Sequence, residues 1–381
     1  MILKNARIFD QDFNLVRADL AVSGDRITRV AAELSGTDAL DLSGCLIAPG
    51  LVDIHIHGCM GADTCDGTRE AIAKMAAHLA KNGVTSFCPT TMTVPLEQLE
   101  RALSAVRDCM ERPPEGATVR GANMEGPYLS PNRRGAQLQS CVRKPDYREF
   151  ERLYNGCGGI IRLVDVAPEQ EGGMAFVQKA SRLCRVSLAH SEADYAQARE
   201  AFRQGATHVT HLFNAMNGMN HRTPGLVGAV FDEARVKAEL ICDGFHIHPA
   251  VLRVAFRLLG EDRTVVVSDS MRAAGMPDGE YELGGQRVRV SEGRAFLGDG
   301  TIAGSTAALL DEVKNLIQFG IPVRQAIKSA TINPAAEIGA EREIGSIAEG
   351  KRADLIVVDE DFTLRMTIAN GRIVPGSSGQ R

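Results

Sequence analysis

Several features that would mark a particular class of protein are missing from the sequence. Its 381 residues include no tryptophan, an absence that excludes no function. No apolar run approaches the roughly 18 residues of a membrane-spanning helix. The formal net charge is -5, so we expect neither a nucleic-acid-binding surface nor a basic membrane-binding face. The first seven residues lack the charged and apolar regions of a signal peptide. The sequence therefore predicts a cytoplasmic protein with small-molecule partners, no nucleic-acid partner and no membrane association.

The cysteines form neither a CxxC pair nor the spacing of a disulfide framework. In a chain of this length such scattered cysteines are typical of free thiols in a reducing compartment. Two of them flank the histidine motif described next, but we do not expect thiolate ligation there. The nine positions are Cys45, Cys59, Cys65, Cys88, Cys109, Cys141, Cys157, Cys184 and Cys242.

Two histidines one residue apart form the most informative motif that is present. The segment Leu51-Val-Asp-Ile-His-Ile-His-Gly58 has the pattern of a short apolar strand. Because alternate side chains of a strand share a face, His55 and His57 should point to the same side near the end of the strand. Imidazole is a common ligand of catalytic divalent metals. Such a spacing also arises by chance, so the rest of the sequence must show whether His55 and His57 bind a metal.

The middle of the chain alternates short apolar strands with helical segments. This alternation favours βα units and a parallel sheet, and eight strands over roughly 250 residues favour an α/β fold of the (β/α)8 TIM-barrel type. A doubly wound open sheet is the alternative, but it would not place polar residues at the ends of so many successive strands. The predicted strands are 51–55, 85–88, 119–124, 160–166, 185–190, 208–213, 238–242 and 264–268, and the predicted helices include 68–81, 95–110, 192–203 and 249–259.

Both ends of the chain have the alternating pattern of strands broken by turns. Two β-rich ends that enclose a different middle suggest one discontinuous domain. We therefore predict a small β-sandwich domain from residues 1–49 and 346–381, and a barrel domain from residues 50–345.

Potential ligands recur at the carboxyl ends of the predicted strands. In a (β/α)8 barrel these ends meet on the catalytic face, although each residue alone could have a structural role. Imidazole and carboxylate ligands without a thiolate suit Zn, Fe, Mn or Co, and such an ion lowers the pKa of a bound water. We predict a divalent metal, one or two per subunit, with Zn as the first choice. The strand-end residues are His55, His57, Glu125, His190, His211 and Asp269.

These residues and their contexts resemble the amidohydrolase superfamily and, within it, the N-acetylglucosamine-6-phosphate deacetylase family. The resemblance extends over essentially the full length. It implies metal-dependent hydrolysis of the N-acetyl group of N-acetylglucosamine-6-phosphate to glucosamine-6-phosphate and acetate, in amino-sugar catabolism. It rests on the segments Pro49-Gly-Leu-Val-Asp-Ile-His-Ile-His-Gly58, Pro89-Thr-Thr-Met-Thr93, Glu125-Gly-Pro-Tyr128, Leu188-Ala-His-Ser191, Thr210-His-Leu-Phe-Asn-Ala-Met216, His221-Arg-Thr-Pro-Gly225, Cys242-Asp-Gly-Phe-His246, Ser268-Asp-Ser-Met271 and Ala303-Gly-Ser305.

The resemblance also implies a role for each metal ligand. It implies that one group of three residues holds the principal ion and that a histidine pair holds a second ion where that position is occupied. The implied principal ligands are Glu125, His190 and His211, and the implied second pair is His55 and His57.

The same resemblance implies the catalytic and substrate-binding residues. Asp269 would accept the proton of the attacking water and return it to the departing amine, and His246 would help the metal to stabilise the oxyanion. Arg222 would bind the phosphate, and its segment lies near a subunit interface in relatives, so we expect a homodimer. The implied substrate-binding residues are Gln137, Asn214, Ala215, His221, Arg222 and His246.

One departure from the family pattern leaves the sugar open. The family usually has Lys-Gly-Ala-His where this chain has Arg134-Gly-Ala-Gln137. Glutamine can donate and accept hydrogen bonds but cannot carry a proton at neutral pH, so a positioning role could survive and an acid-base role could not. N-acetylgalactosamine-6-phosphate is therefore an alternative substrate.

Two further alternatives come from other functional classes. One is a different amidohydrolase that acts on a related amide, such as a cyclic-amide hydrolase or deaminase. The fourth predicted strand lacks the lysine that bridges two metals in such relatives. The other is a non-catalytic relative, which should have lost ligands that this chain keeps. We expect structural or surface roles for the remaining histidines, His78, His208 and His248.

Overall fold

The structure is a computed structural model that describes residues 1–376. The last part of the predicted small domain, residues 377–381, lies outside the described residues. No helix within residues 1–376 is long and apolar enough to cross a membrane.

The first 49 residues form short strands, as their alternating pattern predicts. Gly24 has a φ of +59°, which suits the tight turn between the fourth and fifth strands. The strands are β1 (Ile2–Lys4), β2 (Arg7–Phe9), β3 (Leu15–Arg17), β4 (Asp19–Ser23), β5 (Arg26–Ala31), β6 (Ala39–Asp41) and β7 (Leu46–Pro49).

Residues 51–266 contain the parallel strands of the barrel and the helices that alternate with them. Their elements are β8 (Leu51–Ile56), β9 (Gly58–Cys59), β10 (Ala62–Asp63), α1 (Arg69–Lys81), β11 (Val84–Thr91), α2 (Leu96–Glu111), β12 (Thr118–Val119), β13 (Ala122–Met124), α3 (Tyr147–Gly156), β14 (Ile161–Val166), α4 (Gly173–Ala180), β15 (Arg185–Leu188), α5 (Tyr195–Gln204), β16 (His208–Val209), α6 (Gly225–Asp232), β17 (Lys237–Leu240), α7 (Pro249–Arg263) and β18 (Thr264–Val266).

Neighbouring barrel strands pair in parallel from β8 through β11, β13, β14, β15, β16 and β17 to β18. At the remaining seam, the backbone nitrogen of Asp269 donates to the carbonyl oxygen of His55 at 2.9 Å. The eight predicted strands and the (β/α)8 architecture are confirmed. The third strand differs, because it is divided into β12 and β13. Gly121 lies in the break with a φ of +143°, and a Cβ there would lie 2.6 Å from the carbonyl oxygen of Ile160.

Local sequence explains why these elements form. In α1, the Thr68 side chain accepts a hydrogen bond from the Ala71 backbone nitrogen and caps the helix. Its buried residues recur with helical spacing, as in Ile72, Met75 and Leu79. Strands such as β8 are buried along their whole length, as expected where a parallel sheet is covered on both faces.

A small three-stranded antiparallel sheet, which the sequence analysis did not predict, follows the barrel strands. Helices and the last strands of the small domain come after it. These elements are β19 (Gly279–Leu283), β20 (Gln286–Ser291), β21 (Arg294–Phe296), α8 (Leu309–Gln318), α9 (Val323–Ser329), α10 (Ile332–Glu337), β22 (Leu355–Val358), β23 (Leu364–Ala369) and β24 (Arg372–Ile373).

Helix α10 closes the amino-terminal end of the barrel. The Asn333 side chain donates to the Thr264 carbonyl oxygen at the start of β18, at 2.8 Å. Ala335 and Ile338 pack with inward-facing barrel residues such as Val52 and Val265. The catalytic end of a barrel is the opposite one, so this closure leaves the strand ends that carry the predicted ligands free.

The two chain ends meet in two sheets that share an apolar core. One sheet has the order β5-β4-β1-β6 and the other has the order β24-β23-β22-β7-β2-β3. Leu3, Leu20, Ile47, Leu355 and Ile368 are buried in their common core. The predicted β domain formed from both termini is confirmed, whereas its boundaries at residues 49 and 346 stay a prediction.

Candidate active site

The strand ends bring the predicted metal ligands into one buried cluster. His55 is the last residue but one of β8 and His57 comes directly after that strand, while Glu125 comes directly after β13. His190 and His211 each lie two residues beyond their strands, β15 and β16. All five side chains belong to residues that are at most 5% exposed. The fold therefore concentrates titratable groups where water has little access.

Glu125 lies at the centre of this cluster. Its Oε1 atom is 3.0 Å from His190 Nε2 and 3.1 Å from His211 Nε2. Its Oε2 atom is 3.3 Å from His57 Nε2. Two groups of possible ligand atoms share this carboxylate, one with His55 and His57 and the other with His190 and His211. Within each group the atoms lie within 4.8 Å of one another.

The backbone holds three site residues in an uncommon conformation. His190, His211 and Asp269 have φ values of +46°, +29° and +46°, in a region that residues other than glycine rarely adopt. Such backbone conformations cluster at functional sites, where the surrounding structure holds them. Here hydrogen bonds from Ser130 N to His190 O and from Ser305 N to Asp269 O secure two of them.

The outer nitrogens of these histidines show that the cluster suits a cation. His190 Nδ1 lies 2.7 Å from the carbonyl oxygen of Arg133, and His55 Nδ1 lies 2.8 Å from Glu239 Oε2. Because those oxygens accept, each Nδ1 carries a proton, and Nε2 is the ring nitrogen that faces the cluster. Among the described residues, buried His55 Nε2 has no hydrogen-bond partner. Imidazole nitrogens that converge on a carboxylate fit a divalent metal, which they would bind through Nε2.

The charges in the cluster perturb one another. Burial would raise the pKa of Glu125, but hydrogen bonds with His190 and His211 lower it well below its usual range. Burial likewise opposes ionisation of Asp269, but its hydrogen bond with His57 at 3.1 Å lowers its pKa. Both groups are therefore carboxylates at neutral pH, as metal ligation or proton acceptance requires.

A pocket of about 470 Å³ opens above the cluster. Ligand-cluster residues line its floor, except for His55, which lies behind them. His246 also lines the pocket, and its Nδ1 lies 2.7 Å from Asp243 Oδ2. Asp243 also accepts from the backbone nitrogens of Phe245 and His246, each at 2.8 Å, so it fixes the orientation of the imidazole.

Comparisons with known proteins agree with this geometry. Residues 46–374 match the family model described as the amidohydrolase family. An N-acetylglucosamine-6-phosphate deacetylase from Lysinibacillus sphaericus is 36% identical over 377 residues, which are 98% of this chain and 97% of that protein. An N-acetylgalactosamine-6-phosphate deacetylase from Escherichia coli O157:H7 is also 36% identical, over 86% of this chain and 87% of that protein.

The chain belongs to the N-acetylglucosamine-6-phosphate deacetylase family of amidohydrolases. A solved structure is similar throughout: a mutant N-acetyl-D-glucosamine-6-phosphate deacetylase from Mycobacterium smegmatis in complex with N-acetyl-D-glucosamine-6-phosphate. Its TM-score is 0.93 at 32% identity, and the match covers 98% of this chain and 99% of that one.

The structure brings most, but not all, of the predicted site residues of this amidohydrolase together. Gln137, Asn214 and Ala215 line the same pocket as the ligand cluster. His221 and Arg222 do not line it and are exposed on the loop before α6. Within a single chain, therefore, the predicted phosphate-binding arginine is separate from the pocket.

Gln137 has contacts that its sequence context did not reveal. Its Nε2 atom lies 2.5 Å from Glu125 Oε2, and its Oε1 accepts from the Thr93 backbone nitrogen at 2.7 Å. The residue is only 2% exposed. Gln137 therefore orients the central carboxylate, whichever contacts it makes with a substrate.

Sequence reasoning missed several residues that surround the site. Arg133 and Arg134 line the pocket. Further lining residues come from the unpredicted sheet and the loop beyond it, namely Leu283, Asp299, Thr301, Ile302 and Gly304. Glu239 was also missed, although a charged residue inside the apolar strand Ala238-Glu-Leu-Ile241 is a signal that could have found it.

Proposed function

We propose that this chain is a metal-dependent deacetylase that converts N-acetylglucosamine-6-phosphate to glucosamine-6-phosphate and acetate, in amino-sugar catabolism. The observation that carries the proposal is the position of Glu125 between two sets of histidines on the floor of a pocket, with Asp269 beside them. The nearly full-length match to deacetylases supports the same reaction.

The metal would be held by the five residues of the buried cluster. Glu125, His190 and His211 would hold one ion, and His55 and His57, with the same glutamate, would hold a second. A bound divalent ion supplies Lewis acidity that lowers the pKa of a water and polarises the acetyl carbonyl. Zinc is the first choice for such ligands, with Fe, Mn or Co as alternatives.

The remaining steps are proton transfers and hydrogen bonds by this chain's own residues. Asp269, a carboxylate at the edge of the pocket, would accept the proton of the attacking water. When the C–N bond breaks, it would return that proton to the departing nitrogen, which leaves as the amine. His246, oriented by Asp243 through Nδ1, would donate from Nε2 to the oxyanion as an imidazolium, which carries a proton on both nitrogens.

Phosphate binding by Arg222 requires a second subunit in this proposal. Arg222 is exposed and does not line the pocket of its own chain. It can therefore contact the phosphate only in an assembly that brings it to the pocket of another chain. Val251, Val254 and Leu258 form an exposed apolar stripe on one face of α7, at 39%, 50% and 49% exposure. Met219, 56% exposed, lies in the same loop as Arg222. These features support a homodimer.

The free state of the cysteines supports the expected cytoplasmic location. None of the nine is paired within residues 1–376, and Cys88 and Cys242 are fully buried. Unpaired thiols are typical of a reducing compartment.

The substrate is tested by measuring acetate release from the two epimeric N-acetylhexosamine-6-phosphates and from their unphosphorylated sugars. Metal content is measured on the same preparation. We expect release from the gluco epimer and little from the unphosphorylated sugars. Preference for the galacto epimer would change the substrate of the proposal but not its reaction, because an N-acetylgalactosamine-6-phosphate deacetylase has the same 36% identity to this chain. A metal-loaded protein that hydrolyses neither phosphorylated sugar would contradict the proposal.

Asp269→Asn should lower kcat by about 10²- to 10⁴-fold, because the amide cannot take up the proton. Metal content and substrate binding should change little. Asp311→Asn, on the exposed surface of α8, is the matched control. Steady-state kinetics and metal analysis check the result, and near-normal turnover in the Asp269 variant would contradict the assigned role.

Arg222→Ala should raise KM for the phosphorylated substrate about 10- to 100-fold, because a hydrogen bond to a charged group is lost. Activity on an unphosphorylated analogue should hardly change. Arg148→Ala removes an exposed arginine on α3 and serves as the control. An equal effect on both substrates would rule out phosphate recognition by Arg222. Sedimentation of the wild-type protein tests the proposed homodimer directly.

A further inference from the structure

A row of buried ionisable side chains leads away from the metal cluster towards the closed end of the barrel. We name the residues Glu239, His208 and Glu337 the relay. They are 0%, 0% and 5% exposed. Neither the proposed reaction nor the substrate pocket uses them. Buried charges are costly unless they are paired, so such a row needs an explanation.

The inner end of the relay contacts two proposed metal ligands. Glu239 Oε2 lies 2.8 Å from His55 Nδ1 and accepts from the His211 backbone nitrogen at 3.3 Å. Its Oε1 atom lies 3.1 Å from His208 Nε2. Both oxygens of Glu239 are therefore held, and its carboxylate cannot rotate without breaking contacts with the ligand cluster.

The outer end of the relay reaches the amino-terminal side of the barrel. His208 Nδ1 lies 2.7 Å from Glu337 Oε2, at the end of α10. Glu337 in turn pairs with Arg185 Nε and Lys237 Nζ, each at 3.2 Å. The side chains of these two basic residues are 31% and 22% exposed, so the row ends close to solvent.

The middle of the relay is a histidine that donates from both nitrogens. Each ring nitrogen of His208 faces a carboxylate oxygen, which an imidazolium satisfies and a neutral ring does not. Burial would lower the pKa of His208, but its hydrogen bonds with Glu239 and Glu337 raise it to about 9. Charges of alternating sign therefore follow one another from Glu239 outward.

We propose that the relay is a positioning device for His55, which sets how tightly the His55–His57 position holds its ion. Glu239 holds the Nδ1 proton of His55 and so turns Nε2, which has no hydrogen-bond partner among the described residues, towards the cluster. His208 and Glu337 keep Glu239 in place. Among the described residues, the relay contacts the segment that carries His211 through backbone nitrogens alone: His211 N donates to Glu239 Oε2, and Leu212 N donates to the Glu239 carbonyl oxygen.

This inference rests on the proposed metal-dependent function, because it assigns a role towards the metal. Outer partners of ligating histidines fix the tautomer and orientation of the ring, and their replacement typically weakens metal binding 10- to 100-fold. A relay that only stabilised the barrel would affect both metal positions and the folded state alike. Selectivity between the two positions is therefore the deciding readout.

The test is a zinc titration of metal-free protein in competition with a chelating dye. The binding step that is lost in His55→Asn defines the His55–His57 position. In His208→Gln this step should weaken about 10- to 100-fold, whereas the other step should change little. His78→Gln is the matched control, because His78 is a half-buried histidine on α1 whose ring bonds to Asn82.

A second variant and a second readout keep the proposal open to refutation. If His208→Gln fails to fold, Glu337→Gln at the end of α10 should weaken zinc binding at the His55–His57 position selectively, but to a smaller degree. In zinc-loaded protein labelled with ¹⁵N in its histidines, His55 should bind through Nε2 and keep its proton on Nδ1, and this preference should fall in the relay variants.

Each other outcome has a distinct meaning. Equal weakening of both steps, or no weakening of either, would overturn the relay's positioning role. A wild-type protein that binds a single ion and still releases acetate would also overturn it, while the proposed function would stand. A wild-type protein that binds no zinc and releases no acetate would refute both.

Discussion

The shared carboxylate of Glu125 is the interaction on which the rest of the site depends. One oxygen faces two histidines from β15 and β16, and the other faces a histidine from β8. A single buried anion therefore joins strands from different parts of the barrel. Among the described residues, the other carboxylates that contact these four imidazoles are Asp269, beside His57, and Glu239, at the outer nitrogen of His55, and neither of them reaches His190 or His211 through a ring nitrogen.

The fold places this anion by two means. Parallel strands end together on one side of the barrel, while α10 closes the other side. Beyond the strand ends, the left-handed backbone at His190 and His211 turns their rings inward. The hydrogen bond from Gln137 and the contact between Glu239 and His55 then fix the ligand set from opposite sides.

Sequence patterns predicted the barrel well because its strands are short, apolar and regularly spaced. The strand predicted at 51–55 is Leu51–Ile56, and the helix predicted at 68–81 is Arg69–Lys81. The sheet at Gly279–Phe296 was missed, although Gln286-Arg-Val-Arg-Val-Ser291 alternates as a strand does and follows the turn Gly284-Gly285. His208 was expected to be structural or on the surface, and only the fold shows it between two carboxylates. Arg222 was predicted to bind the phosphate, and only the fold shows that it does not line the pocket of its own chain.

We infer that one carboxylate, that of Glu125, serves both proposed metal positions. The most direct test of this inference is zinc binding to metal-free Glu125→Gln, a variant of nearly the same shape without the charge. The account predicts that both binding steps weaken by a factor of at least about 10 to 100, because a hard anionic ligand is lost from each. A Glu125→Gln protein that binds either ion with the wild-type affinity would contradict it.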